Sequence, residues 1–147
     1  DALIGFNALA YVLPPLRSNT DKKALQEGLQ DGTIDAICRH HEPLAKTAKQ
    51  APFAECKPGI SNFDTFMGLA CQLVKEGILT PEQLVEKIAL NPAKIAGIEA
   101  SYHQTGGAVL VDPNLTWTVT KESMMSQGKN TPFINSELTG KVEQVYF

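Results

Sequence analysis

The sequence predicts an α/β fold that ends in a small β part, and three observations predict it. A short apolar run, Tyr11 to Leu13, is followed by a capped helix pattern and then by the β-type run Thr33 to Cys38. Helical spacing returns between Phe63 and Leu90. Beyond Gly106-Gly107 the spacing changes to strand-like runs separated by turn residues.

The first run must stop at Pro14-Pro15, which remove two backbone donors. Ser18-Asn19-Thr20-Asp21 supplies several N-cap candidates for a helix through KKALQEGLQ, which stops at Asp31-Gly32. Thr33 to Cys38 has the composition of strands buried in parallel sheets. Strand, loop, helix, strand is one βαβ unit, with parallel strands and a right-handed crossover. From His41 to Ser61 no period is visible, so this is a long loop.

Phe63, Phe66, Met67, Ala70, Leu73 and Val74 recur at spacings of three and four, which predicts a helix over 63–75 ended by Gly77. Thr80-Pro81-Glu82-Gln83 opens another, with Thr80 as N-cap, Pro81 at the first helical position and Gln83 placed for a capping box. It runs through LVEKIAL and breaks at Asn91-Pro92, with a short helical turn ending at Gly97. In the tail, AVLVDP, LTWTVT and LTGKVEQVYF are strand-like, with Asp112 and Pro113 turning the chain and Trp117 packing the β part. The organisation is thus a βα part over 1–100 and a small β domain over 101–147.

With 147 residues there is enough chain for one sizeable core. A net charge of −3 offers no electrostatic attraction to nucleic acid. No apolar run reaches the ~20 residues of a membrane span. The opening DALIGFNALAYVLPP lacks a basic start and a small-residue cleavage site, so the chain is expected to begin within something larger. Three cysteines, Cys38, Cys56 and Cys71, with no CxxC, fit packed thiols in a reducing, cytoplasmic compartment.

The densest chemistry lies in Cys38-Arg39-His40-His41-Glu42-Pro43-Leu44. Cys38 and His40 are two apart on a strand and share a face, which is half of a zinc site. Nothing else completes it, since His103 falls in the β part.

Six segments in register, PPLRS, KALQEGLQDGTIDAI, PFAECKPGIS, LTPEQLVEKIALNPAKIAGI, VDPNLTWTV and SQGKNTPF, together resemble the carboxy-terminal part of dihydroorotase, of the type with the PPLR motif. The resemblance implies the last portion of an amidohydrolase (β/α)8 TIM barrel followed by a small β appendage. Tyr11–Leu13 would be the seventh barrel strand and Asp35–His40 the eighth, with the long loop at the active-site end. A whole barrel needs ~250 residues, so the remainder of the barrel or a homo-oligomer is an expected partner.

The family interconverts N-carbamoyl-L-aspartate and dihydroorotate with a metal-bound hydroxide. Its acid/base motif is Ser/Thr-Asp-His-x-Pro-His, and here the stretch reads Arg39-His40-His41-Glu42-Pro43-Leu44. His40 stands at the aspartate position and Leu44 at the second histidine. A carboxylate binds metal with one oxygen and moves a proton with the other, whereas a bound imidazole has its second nitrogen turned away. Arg39 adds a fixed positive charge that opposes a divalent cation. Leu13 replaces the polar Asn that precedes the PPLR motif and contacts substrate in the family. Arg17, within that motif, is read as a structural donor.

The resemblance therefore implies no catalytic residue and no resident metal. His41, Pro58 and Gly59 remain at family substrate-binding positions. Non-catalytic dihydroorotase-like chains of the family associate with aspartate transcarbamoylase, which makes that enzyme the expected partner. The alternatives are an active zinc-dependent dihydroorotase with His40 as a variant ligand, and a related amidohydrolase with an altered, more apolar substrate.

Overall fold

The computed structural model describes residues 5–98 and 107–146. In chain order it has α1 (Asn19–Gln30), α2 (Phe66–Lys75), α3 (Pro81–Val85), a π-helical turn (Glu86–Leu90), α4 (Asn91–Ile95), β1 (Ala108–Thr118) and β2 (Glu137–Tyr146). Single 3-10 turns lie at Ala8–Ala10, Lys46–Lys49 and Phe53–Glu55. The two strands form one two-stranded sheet. The chain divides into two compact units that are interleaved in sequence. One holds the described residues up to Arg17, with Arg39–Phe66 and Thr118–Leu138; the other holds Ser18–Cys38, Met67–Trp117 and the described residues from Thr139. The expected domain boundary at 100/101, and His103, lie outside the described residues.

The helix starts follow from local chemistry. Ser18 Oγ accepts from the Asp21 amide at 3.2 Å while the Asp21 carboxylate accepts from the Ser18 amide at 3.0 Å. Thr80 Oγ1 accepts from the Gln83 amide at 3.2 Å and Gln83 Oε1 from the Thr80 amide at 2.9 Å. Each reciprocal pair satisfies two donors that a helix start leaves orphaned. Behind the second cap, Leu79 and Leu84 bury with Ala70, and Leu29, Ile37 and Ile88 pack against them.

Four expectations need correction. Tyr11–Leu13 and Asp35–His40 belong to no sheet among the described residues, and His40 leaves the extended region altogether. A strand is defined by its ladder, and no other strand runs beside them there. The helix expected from Phe63 begins at Phe66; residues 63–65 form a turn, and the Asn62 and Phe63 amides donate to the His41 ring. β1 runs through Asp112-Pro113 without a break, although Asp112 Oδ1 does accept from the Asn114 and Leu115 amides. In a two-stranded sheet every strand is an edge, where proline is tolerated. Trp117 packs as expected, its indole N–H donating to the Gly140 carbonyl at 3.1 Å.

The fourth correction concerns Asn91-Pro92, which does not break the helix. The Asn91 amide donates to the Glu86 carbonyl, a five-residue step. Pro92 has no N–H, so the Lys87 carbonyl finds no helical partner at either step. That carbonyl instead accepts from the Ile37 amide at 2.9 Å. The Lys87 ammonium donates to the Ile34 carbonyl and the Asn91 carboxamide to the Asp35 carbonyl at 2.9 Å. The widened turn thus holds the extended segment 34–37 by its backbone.

Replacing Thr80 by alanine should lower the unfolding free energy by about 1 kcal/mol. Leu84→Ala should cost about 3 kcal/mol through the cavity it leaves. Urea denaturation of the two variants separates cap from core.

Candidate functional site

The expected site residues lie in the unit that contains Arg39–Phe66, and a backbone frame fixes them. The Glu42 amide donates to the Ile60 carbonyl at 2.9 Å, the Gly59 amide to the Tyr11 carbonyl at 2.9 Å, and the Ser61 amide to the Asn130 carbonyl at 3.0 Å. Asn130, 4% exposed, completes the frame with its side chain. Its Oδ1 accepts from the Leu44 amide at 2.7 Å, and its Nδ2 donates to the Glu42 and Gly59 carbonyls at 2.9 and 3.1 Å. One carboxamide spends all three bonds on backbone that no sheet pairs. Gly128 belongs to the same frame: a β-carbon there would lie 2.6 Å from the Leu44 nitrogen.

His41 is locked into this frame. Its Nδ1 accepts from the Asn62 and Phe63 amides at 3.2 and 3.0 Å. The hydrogen-bond pattern therefore assigns the ring proton to Nε2, which faces Ser126 Oγ at 3.4 Å. Ser126 Oγ also accepts from the Ser61 hydroxyl at 2.9 Å. The Asp64 carboxylate holds the Met125 and Ser126 amides at 2.6 and 3.3 Å, which fixes that serine. With Nδ1 occupied twice, His41 is an orienting residue of the loop.

His40 behaves differently. It sits at φ 44, in the left-handed region, so side-chain alternation along 38–41 is lost. The shared face expected for Cys38 and His40 therefore does not exist. The His40 side chain is 62% exposed, and its Nε2 lies 3.2 Å from Glu42 Oε1. Arg39 lays its guanidinium over Phe63, 4.2 Å from the ring centroid, a cation–π contact. Leu13, Leu16, Arg39, His40, Glu42 and Asn62 line one open cleft of about 260 Å³.

The expected residues are thus separated in role. Leu13 and His40 share the cleft, while His41 is engaged by amides and serines. Pro58 is half-buried; Gly59 has both its N–H and its C=O committed to Tyr11 and Asn130. Leu44 is half-buried, with its amide on Asn130. Among the described residues no group of three or more His, Cys, Asp or Glu side chains is placed to hold a metal ion. By themselves they do not fit a divalent cation: His41 has no lone pair left on Nδ1, and His40 turns to Glu42. Sequence reasoning missed Asn130, Ser61, Ser126 and Asp64; the matched segment SQGKNTPF contains two of them and was the available signal.

No family model matches the chain. A dihydroorotase of Syntrophus aciditrophicus is 43% identical over 145 residues, 97% of this chain and 34% of that protein. A dihydroorotase-like protein of Pseudomonas aeruginosa is 39% identical over 145 residues, with the same shares. The chain belongs with the dihydroorotases and dihydroorotase-like proteins. This dihydroorotase-like chain spans about a third of the length of the curated relatives it matches. Among solved structures, an L-hydantoinase (dihydropyrimidinase) of Arthrobacter aurescens superposes with TM-score 0.83 at 23% identity, covering 99% of this chain and 34% of that one. A D-hydantoinase gives TM-score 0.81 at 22% identity, covering 95% and 33%. At that identity the structures establish shared fold: the described helices and two-stranded sheet correspond to about one third of each of those larger chains.

Asn130→Ala should destabilise the protein by about 3 kcal/mol, because it strands an amide and two carbonyls. Asn130→Asp should cost as much or more, since it keeps the acceptor for Leu44 but points a carboxylate at two carbonyls. Thermal unfolding of both variants checks the order.

The cysteines offer a pH-dependent test. Cys38 is exposed, and Cys56 is buried with its thiol on the Ala51 carbonyl at 3.1 Å. Burial pushes the Cys71 thiol above its ordinary value. The thiolate is the reacting form, so a raised pKa leaves less of it at any given pH. Iodoacetamide at pH 7.5 should label Cys38 first, and labelling of Cys71 should need more alkaline solution. Peptide mass spectrometry across pH reads both rates.

Proposed function

We propose that this chain is the carboxy-terminal part of a dihydroorotase-like protein of pyrimidine biosynthesis that does not turn over substrate and supports assembly of aspartate transcarbamoylase in the cytoplasm. On this reading residues 1–100 are the last βα units of a (β/α)8 barrel and 101–147 its small β domain. The carrying observation is position 40. The family's chemistry asks there for a carboxylate that shares a metal-bound hydroxide's proton. This chain puts there an exposed imidazole, paired with Glu42 and held on a left-handed backbone. Arg39 beside it carries a permanent positive charge.

Two further features support the reading. Leu13 and Leu44 stand where substrate contacts are polar in the family, and an unmet polar group of a ligand costs about 1–3 kcal/mol. The relatives at similar identity include a protein named only dihydroorotase-like. The partner is carried by the resemblance to non-catalytic family chains.

A second reading rests on the apolar wall of the cleft. Val12, Leu13, Leu16 and Ile60 suit an amidohydrolase acting on a less polar cyclic amide.

The full-length protein should bind no stoichiometric zinc, should not hydrolyse dihydroorotate, and should co-purify with aspartate transcarbamoylase. Stoichiometric zinc together with turnover would favour an active dihydroorotase and overturn the first reading. Hydrolysis of an apolar cyclic amide alone would favour the second.

A further inference from the structure

The chemistry of the cleft is set by an arginine, a histidine and a glutamate within four residues. Arg39, His40 and Glu42 all line it. Glu42 Oε1 lies 3.2 Å from His40 Nε2. The same side chain covers Gly59: a β-carbon built there would meet Glu42 Oε2 at 2.7 Å and Glu42 Cβ at 2.8 Å. The glycine has φ +125, so it is free of a side chain for backbone reasons too. Glu42 therefore both lines the cleft and covers Gly59, so its carboxylate is held at the cleft wall.

We infer that Glu42 is the specificity-determining residue of this cleft, its carboxylate acting as a built-in anion that bars small carboxylate ligands. The inference deepens the reading of a non-turning-over site and rests on it. Arg39 presents the permanent positive charge that would attract a carboxylate. Glu42 is tethered two residues from His40, so its effective concentration exceeds that of any free anion. A second carboxylate entering the cleft would lie within a few ångströms of Glu42 and be repelled. A neutral ligand of the same shape feels no such repulsion, so charge separates this account from simple filling of space.

The test uses the full-length protein, wild type and Glu42→Gln, titrated at fixed ionic strength with succinate and with succinamide. Glutamine keeps the shape and removes the charge, and Tm measured alongside confirms that the variant is folded. Succinate should bind the variant about tenfold more tightly than the wild type, the effect of one screened like charge. Succinamide should bind both alike. Equal succinate affinity in the two proteins overturns the inference, as does an equal gain for succinamide, which would mean that bulk and not charge closes the cleft. Either result without dihydroorotate turnover overturns this inference alone; turnover by the wild type overturns the reading beneath it.

Discussion

Pro92 lacks a backbone donor, and one unit of the structure is arranged around that lack. The Lys87 carbonyl has no helical partner, so it reaches sideways to the Ile37 amide. Around it the Lys87 and Asn91 side chains take the Ile34 and Asp35 carbonyls. A helix edge has thereby become the hydrogen-bonding surface for an extended segment, the service a neighbouring strand normally provides. The cost is a turn with poorer hydrogen-bond geometry than an α-helix. The return is that segment 34–37 has partners for its polar groups, and that Ile37 is presented to the cluster around Leu79 and Leu84.

In the other unit the same problem, extended backbone without a sheet, is solved by one side chain. Asn130 binds positions 42, 44 and 59, and everything chemical in the cleft hangs from those positions. His41 is immobilised from its Nδ1 side by the turn that delays α2. One carboxamide and one ring thus hold the backbone of 41–62 where no strand pairs it among the described residues.

Caps and stops were legible because their partners are three or four residues away: Ser18 with Asp21, Thr80 with Gln83, Gly77 after α2. The resemblance to a motif gives Arg39 to Leu44 a register, and in that register His40 is a departure. What was not legible depended on distant partners. Tyr11–Leu13 and Asp35–His40 have strand composition, but composition does not supply a ladder. Asn91-Pro92 reads locally as a break, and only the Ile37 amide explains why the helix continues. Asn130 looks like an ordinary polar residue in SQGKNTPF; its carbonyl partners Glu42 and Gly59 are 88 and 71 positions away.

Gly59 also shapes how this site can drift. Any side chain there would strain the backbone and collide with Glu42, so position 59 is closed to substitution while the present loop survives. Position 42 carries no matching restriction, because a smaller residue leaves only open space above a glycine. Mutability across this contact is therefore lopsided. The cleft can be emptied by a single change at 42 but cannot be rebuilt from the 59 side. A chain carrying this loop keeps an easy route to an open cleft.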